Sequence, residues 1–299
     1  MRTTFINQLV EEARVHEDIF LLVGDLGFHV VEPFAEAFPD RFINVGICEQ
    51  NMAGIAAGLA MNGWTVYCYS IGNFPTLRCI EQIRNDIVYY RSRVRIVSVG
   101  AGYAYGSQGV SHQATEEVGM LRTLPGMVVC SPSDPVETRM LVHLSATYDG
   151  PMYIRLGKAG EQVFHQQPIA DYRLGDPLPL RQSEDADTCV LTSGSILARV
   201  MEDVTERSLP YDVYTIPVVK PLDADSFCQL ARRYQQLVIV EENQRSAGIG
   251  SAVIEVLSDA YNEGRLSQYP KVRRVAIADE FLSVAGSQRY LQDAAGLRL

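Results

Sequence analysis

The sequence predicts an α/β protein of two domains, each a mostly parallel sheet flanked by helices. Three observations predict it: short apolar runs alternate with longer helical patterns, the alternation breaks once into a polar stretch at 160–187, and it then restarts. Parallel strands are buried on both faces and need crossover helices, so they leave this signature.

In the first half the apolar runs place strands at Ile19–Val23, Thr65–Tyr69, Arg95–Val99, Met127–Cys130 and Met152–Arg155. Helical patterns lie between them at Thr3–Ala13, Glu49–Met61, Leu77–Tyr90, Thr115–Leu124 and Pro135–Tyr148. The stretch from Gly160 to Asp187, ending in QSEDAD, is expected to be a surface connector and sets a boundary between domains 1–172 and 173–299. Beyond it, strands are expected at Thr188–Thr192, Asp212–Ile216, Leu237–Glu241 and Arg274–Ala278, with helices at Ile196–Ser208, Asp223–Tyr234 and Ser251–Glu263. TSGS (192–195) is expected to act as a helix N-cap, and EEN (241–243) as a turn before a helix.

A chain of 299 residues, 47% hydrophobic and 21% charged, has enough apolar material for two ordinary cores. Its formal charge of −10 argues against nucleic acid as a partner, because phosphate contacts need clustered Lys and Arg. The six cysteines are scattered without a CxxC pair, most of them in apolar runs, and are expected to be reduced core residues. Neither a signal-peptide pattern nor a membrane-length apolar segment is evident, so a cytoplasmic protein is expected.

In NVGICEQNMAGIAAGLAMNG (44–63), a strand end runs into a helix whose first turn holds Glu49. Gly54 and Gly58, four apart among alanines, would let another backbone approach closely. Taken alone, Glu49 is equally a charge complementing the helix dipole. Its meaning comes from the segments around it: LLVGDLG, RFINVGICEQNMAGIAAGLA, FPTLRCIEQIRND, GSQGVSHQATEEVGMLRTLPGMVVCSPSDP, GPMYIRLGKAGE, KPLDAD and VIVEENQRSAGIGSAV. In this order they resemble the pyrimidine-binding and C-terminal domains of the transketolase family over nearly the whole chain.

The resemblance implies a thiamine diphosphate enzyme in which Glu49 faces the aminopyrimidine ring. A carboxyl group at N1′ favours the tautomer whose exocyclic nitrogen takes the thiazolium C2 proton. Burial away from any cation would help that carboxyl share a proton with the ring. By the same resemblance Phe74 is the flat seat of the ring, although the residue alone reads equally as core, and Asp25 lies near the cofactor, although a strand-end aspartate reads equally as a turn cap; Leu77 and Ile80, three and six residues after Phe74, are placed to line the same pocket. His112 faces the substrate and is a second catalytic candidate, suited to proton movement near neutrality. Arg155 and Arg2 match arginines that hold the substrate's phosphate, a task that suits a guanidinium fork.

Departures from the family bear on substrate and assembly. The histidine expected twelve residues before His112 is Gly100, the aspartate expected four before it is Gln108, and the serine position near Asp25 falls around Phe28 and His29. The usual sugar-phosphate donor is therefore not assured, and Gln108 and His29 become candidate substrate contacts. No Gly-Asp-Gly motif occurs. In the family that motif and a downstream Asn hold the diphosphate and its Mg2+, so both are expected on a partner chain; this chain is expected to hold no metal itself. The expected protein is one half of a split transketolase-like transferase moving a two-carbon ketol or acyl unit between small carbonyl compounds. An α2β2 assembly with self-association of this chain is expected, with no nucleic-acid or membrane partner. The rivals are the β chain of a 2-oxo acid dehydrogenase, a 1-deoxyxylulose-5-phosphate synthase-like carboligase, and a silent structural subunit.

Overall fold

A computed structural model describes residues 1–299. The strands are β1 (Ile19–Val23), β2 (Phe42–Asn44), β3 (Thr65–Ile71), β4 (Val94–Val99), β5 (Val128–Cys130), β6 (Met152–Leu156), β7 (Leu178–Arg181), β8 (Thr188–Thr192), β9 (Asp212–Thr215), β10 (Val218–Lys220), β11 (Gln236–Gln244) and β12 (Lys271–Ile277). They form a seven-stranded sheet in the order β10-β5-β6-β4-β3-β1-β2 and a five-stranded sheet in the order β12-β11-β8-β9-β7. Every pairing is parallel except β10 on β5 and β7 on β9, both at sheet edges. The apolar runs explain this: β1, β4, β6 and β8 are buried along their whole length, as strands covered on both faces must be.

Two helix starts are set by aspartate side chains. Asp134 accepts hydrogen bonds from the N–H groups of Val136 and Glu137 at 2.9 Å and opens the helix Pro135–Thr147 with proline in its first turn. Asp223 caps Ala224–Arg233 in the same way through the N–H of Ser226.

Several sequence expectations are corrected. The stretch Leu77–Tyr90 is not one regular helix: it passes from a tight turn at Leu77–Cys79 through Ile80–Gln82 into widened π-type turns at Ile83–Val88. EEN is no turn, because β11 continues through Gln244. Glu241 reaches forward instead and accepts from the N–H groups of Ile249 and Gly250, capping the helix Ile249–Asn262. Ser193 does not cap its helix; its hydroxyl donates to the carbonyl of Ser131. The connector carries β7, and β10 returns from the second half to the edge of the first sheet. Of the cysteines, Cys48 is exposed and the other five are buried. No helix is long and apolar enough to cross a membrane.

Candidate active site at the strand ends

Because β1, β2, β3 and β4 are parallel neighbours, their C-terminal ends open on one edge of the sheet, where α/β proteins gather ligand-binding loops. Asp25 follows β1, Asn44 and Glu49 close and follow β2, Phe74 and Arg78 follow β3, and His112 lies in the loop after β4.

Glu49 opens the helix Glu49–Met61 and is 2% exposed. A side chain placed on Gly24 would touch Glu49 Cγ and Oε1 and Ser70 Oγ at 3.5–3.6 Å, so the carboxylate lies directly against the end of β1. Ser70 Oγ is itself buried with no hydrogen-bond partner. The expectation of burial away from a cation is not met: Arg78 Nη1 lies 2.7 Å from Glu49 Oε2. The Arg78 guanidinium also lies over the Phe74 ring, 4.5 Å from its centre. The His112 ring meets Phe74 edge-on at 5.2 Å, and its Nδ1 pairs with Ser111 Oγ at 3.0 Å. Asn73 ties the two loops together by donating to the carbonyl of Gln113.

Asp25 sits in a left-handed backbone conformation at φ 52° and exchanges two 3.0 Å hydrogen bonds with the Asn44 side chain, one through its N–H and one through its carboxylate. His29 is exposed, with its N–H on Glu32. Gln108 is exposed in the turn Gly106–Gln108. Leu77 is half-buried. Ile80 is also half-buried and lines a different space, a cavity of about 590 Å³ shared with Met120, Leu124, Ala247 and Phe281.

Arg155 does not face an open cleft. It is 1% exposed, and its Nε donates to Glu117 Oε1 at 2.6 Å. Its Nη2 donates to the carbonyls of Ala114 and Glu242. The sequence expectation of a free phosphate anchor is thus corrected to a buried bolt joining β6, the His112 loop and β11. Arg2 is half-buried beside Tyr105, with an Nε that has no partner.

Tyr105 explains the departure at Gly100. A Cβ on Gly100 would stand 2.2 Å from Tyr105 Cδ2, and the backbone there has φ +98°, so the tyrosine ring fills the space beside the glycine. Burial raises the Tyr105 hydroxyl's pKa, and Arg2 opposes the rise. Arg78, Asn44, Ser70 and Tyr105 escape the sequence reading. None of the four leaves a local sequence signal that would single it out. No group of three or more His, Cys, Asp or Glu side chains is placed to hold a metal ion.

A buried carboxylate, a flat aromatic ring and a loop imidazole at the ends of parallel strands make the sheet edge of this α/β protein a candidate ligand site. The chain belongs to the transketolase family: the transketolase pyrimidine binding domain matches residues 1–161 and the transketolase C-terminal domain residues 180–298. It is 31% identical to one of the subunits of the apulose-4-phosphate transketolase of Phocaeicola vulgatus, over 86% of this chain and 83% of that one. It is 30% identical to the 6-deoxy-6-sulfo-D-fructose transketolase subunit SqwH of a Clostridium species, over 99% and 90%. Among solved structures, a split-gene transketolase described as an inactive β4 tetramer superposes with a TM-score of 0.83 at 32% identity, covering 99% of this chain and 93% of that one. A Campylobacter jejuni transketolase shares the fold, with a TM-score of 0.76 at 18% identity over 99% of this chain and 45% of its own.

Proposed function

We propose that this chain is the pyrimidine-binding half of a two-subunit, thiamine diphosphate-dependent transketolase-type transferase, built as domains 1–172 and 173–299. The observation that carries the reading is Glu49, a buried carboxylate against Gly24 at the sheet edge, linked to the Phe74 ring through Arg78. The residues present fit an aminopyrimidine: Glu49 offers an acceptor, Ser70 Oγ is a buried hydroxyl without a partner, and Phe74 offers a face.

When bound, the cofactor supplies the electron sink for breaking and making a carbon–carbon bond. Glu49 holds a proton at ring nitrogen N1′, and Phe74 fixes the ring's plane. His112, beside Phe74, holds or moves a proton on the substrate's carbonyl or hydroxyl. Asp25, oriented by Asn44, borders the same edge. The diphosphate and Mg2+ fall to a partner chain with the Gly-Asp-Gly motif, in an α2β2 assembly; relatives named as subunits support the need for a partner chain. Tyr105 beside Gly100 favours a donor whose far end is held differently from an ordinary ketose phosphate, in keeping with the apulose 4-phosphate and sulfofructose named for the relatives. A cytoplasmic location goes with this chemistry.

The test is reconstitution with a chain carrying Gly-Asp-Gly, followed by a coupled assay of ketol transfer from several ketoses to an aldehyde. Transfer that requires both chains supports the reading; transfer by the partner alone would end it.

A further inference from the structure

Arg78 covers both halves of the seat proposed above for the aminopyrimidine. Its Nη1 is 2.7 Å from Glu49 Oε2, and its guanidinium carbon lies 4.5 Å from the centre of the Phe74 ring. A guanidinium is planar, carries N–H donors in its plane and presents a face to an aromatic ring. An aminopyrimidine hydrogen-bonded through N1′ asks for the same two partners. Glu49 is 2% exposed and Arg78 is its only hydrogen-bond partner, so an empty seat without Arg78 would leave a buried carboxylate uncompensated.

We propose that Arg78 is a placeholder: in the cofactor-free chain its guanidinium occupies the aminopyrimidine's seat on Glu49 and Phe74, and it swings out to solvent when the ring enters. The side chain is suited to leaving: it is 44% exposed, so its guanidinium can pass into water while the incoming ring takes over as the partner of the buried Glu49. The backbone beneath it is anchored by Gln50, whose side-chain amide donates to the carbonyl of Arg78, so the swing is one of the side chain alone. The device keeps the carboxylate paired until the ring replaces the cation. Its consequence is that the seat is open in only a fraction of molecules, and the apparent affinity for cofactor falls by that fraction. The proposal rests on the reading of Glu49 and Phe74 given above.

The experiment is calorimetric titration of thiamine diphosphate with Mg2+ into the assembled two-subunit enzyme carrying wild-type chain, Arg78→Met, Arg78→Lys or Glu49→Gln. Arg78→Met is expected to tighten binding by about tenfold, because it removes the side chain that closes the seat and so raises the open fraction. Arg78→Lys, which keeps the charge but not the planar face, falls between. Melting of the cofactor-free chain gives a second readout: Arg78→Met lowers the melting temperature in the Glu49 background and has a smaller effect in the Glu49→Gln background. Weaker or unchanged cofactor binding by Arg78→Met, or additive effects in the melting series, would overturn the placeholder. Should Glu49→Gln bind cofactor like the wild type, it is the underlying role of Glu49 that fails, whatever Arg78 does.

Discussion

Arg155 and Glu117 meet inside the protein at 2.6 Å, with side chains 1% and 0% exposed, and the same guanidinium reaches the carbonyl of Glu242 in the second half of the chain. A charge pair this deep is worth little over an apolar pair of equal shape, but losing one member leaves the other buried and unpaired.

Arg155→Ala is therefore expected to destabilise the chain by about 3–5 kcal/mol. Arg155→Met with Glu117→Leu should recover much of the loss, as removal of both charges removes the penalty. Urea unfolding of the full chain measures both. An Arg155→Ala variant of wild-type stability that has lost only phosphorylated donors would restore the phosphate-anchor role.

Glu49→Gln preserves shape and can still accept a hydrogen bond from Arg78, so folding and assembly should persist. Proton transfer by a placed acid or base contributes about 10²–10⁴-fold, and turnover should fall by at least that much. Exchange of the cofactor's C2 proton for deuterium in the assembled enzyme isolates the step; exchange at the wild-type rate would reduce Glu49 to a helix-end charge.

At Gly100 two penalties meet: a left-handed backbone and the Tyr105 ring 2.2 Å from any Cβ. Gly100→Ala should cost about 1–3 kcal/mol. Adding Tyr105→Ala should return the steric part and leave the backbone part. For the same reason Gly100→His alone should not install the histidine that ordinary family members carry there. Thermal unfolding of the single and double variants separates the two penalties.

The isolated chain should bind thiamine diphosphate weakly or not at all, since it offers the pyrimidine a seat but no Gly-Asp-Gly motif for the diphosphate and metal. Calorimetry on the chain alone, then on the assembled pair, makes the comparison. Tight binding by the chain alone would sink the split-site reading.

How far the sequence discloses this arrangement follows from the physics of each part. Runs such as IFLLV and MYIRL are buried on both sides, so their apolar continuity marks strands without ambiguity. β10 has three residues and is held at an edge by tertiary pairing, which no local period records. Glu49 and Phe74 are reached through the resemblance. Arg78 is not, because a half-exposed arginine in a helical stretch looks like a solvated face until its contacts are known. Arg155 misleads for the converse reason: its residue type suggests anion binding, and only the fold reveals that Glu117 already supplies the anion.

A buried cluster where the halves of the chain meet ties stability to pH. His165 Nδ1 lies 3.3 Å from Asp134 Oδ2 and its Nε2 3.7 Å from Glu137 Oε1, while Thr215 of β9 donates to Glu137 Oε1. Burial pushes Glu137 from 4.5 to about 7, against the pull of His165. Burial alone would lower His165, but Asp134 and Glu137 raise it above 6.5. Asp134 would rise on burial, yet hydrogen bonds from His165 and from backbone N–H groups hold it down to about 2. The raised groups stabilise the fold while protonated: Glu137's contribution is full below pH 4.5 and gone by about 7, and that of His165 is full below 6.5 and lost as pH rises through its higher folded value. Asp134 acts in the opposite sense, stabilising above 3.8 and losing that contribution as pH falls toward 2. The cluster should therefore favour the fold most near pH 4–5, with stability declining toward neutrality. Glu137→Gln should flatten the decline between pH 4.5 and 7, and His165→Gln the part above 6.5. Melting temperature against pH for the full chain and both variants reads this directly; curves parallel to the wild type would show that the cluster does not titrate with folding.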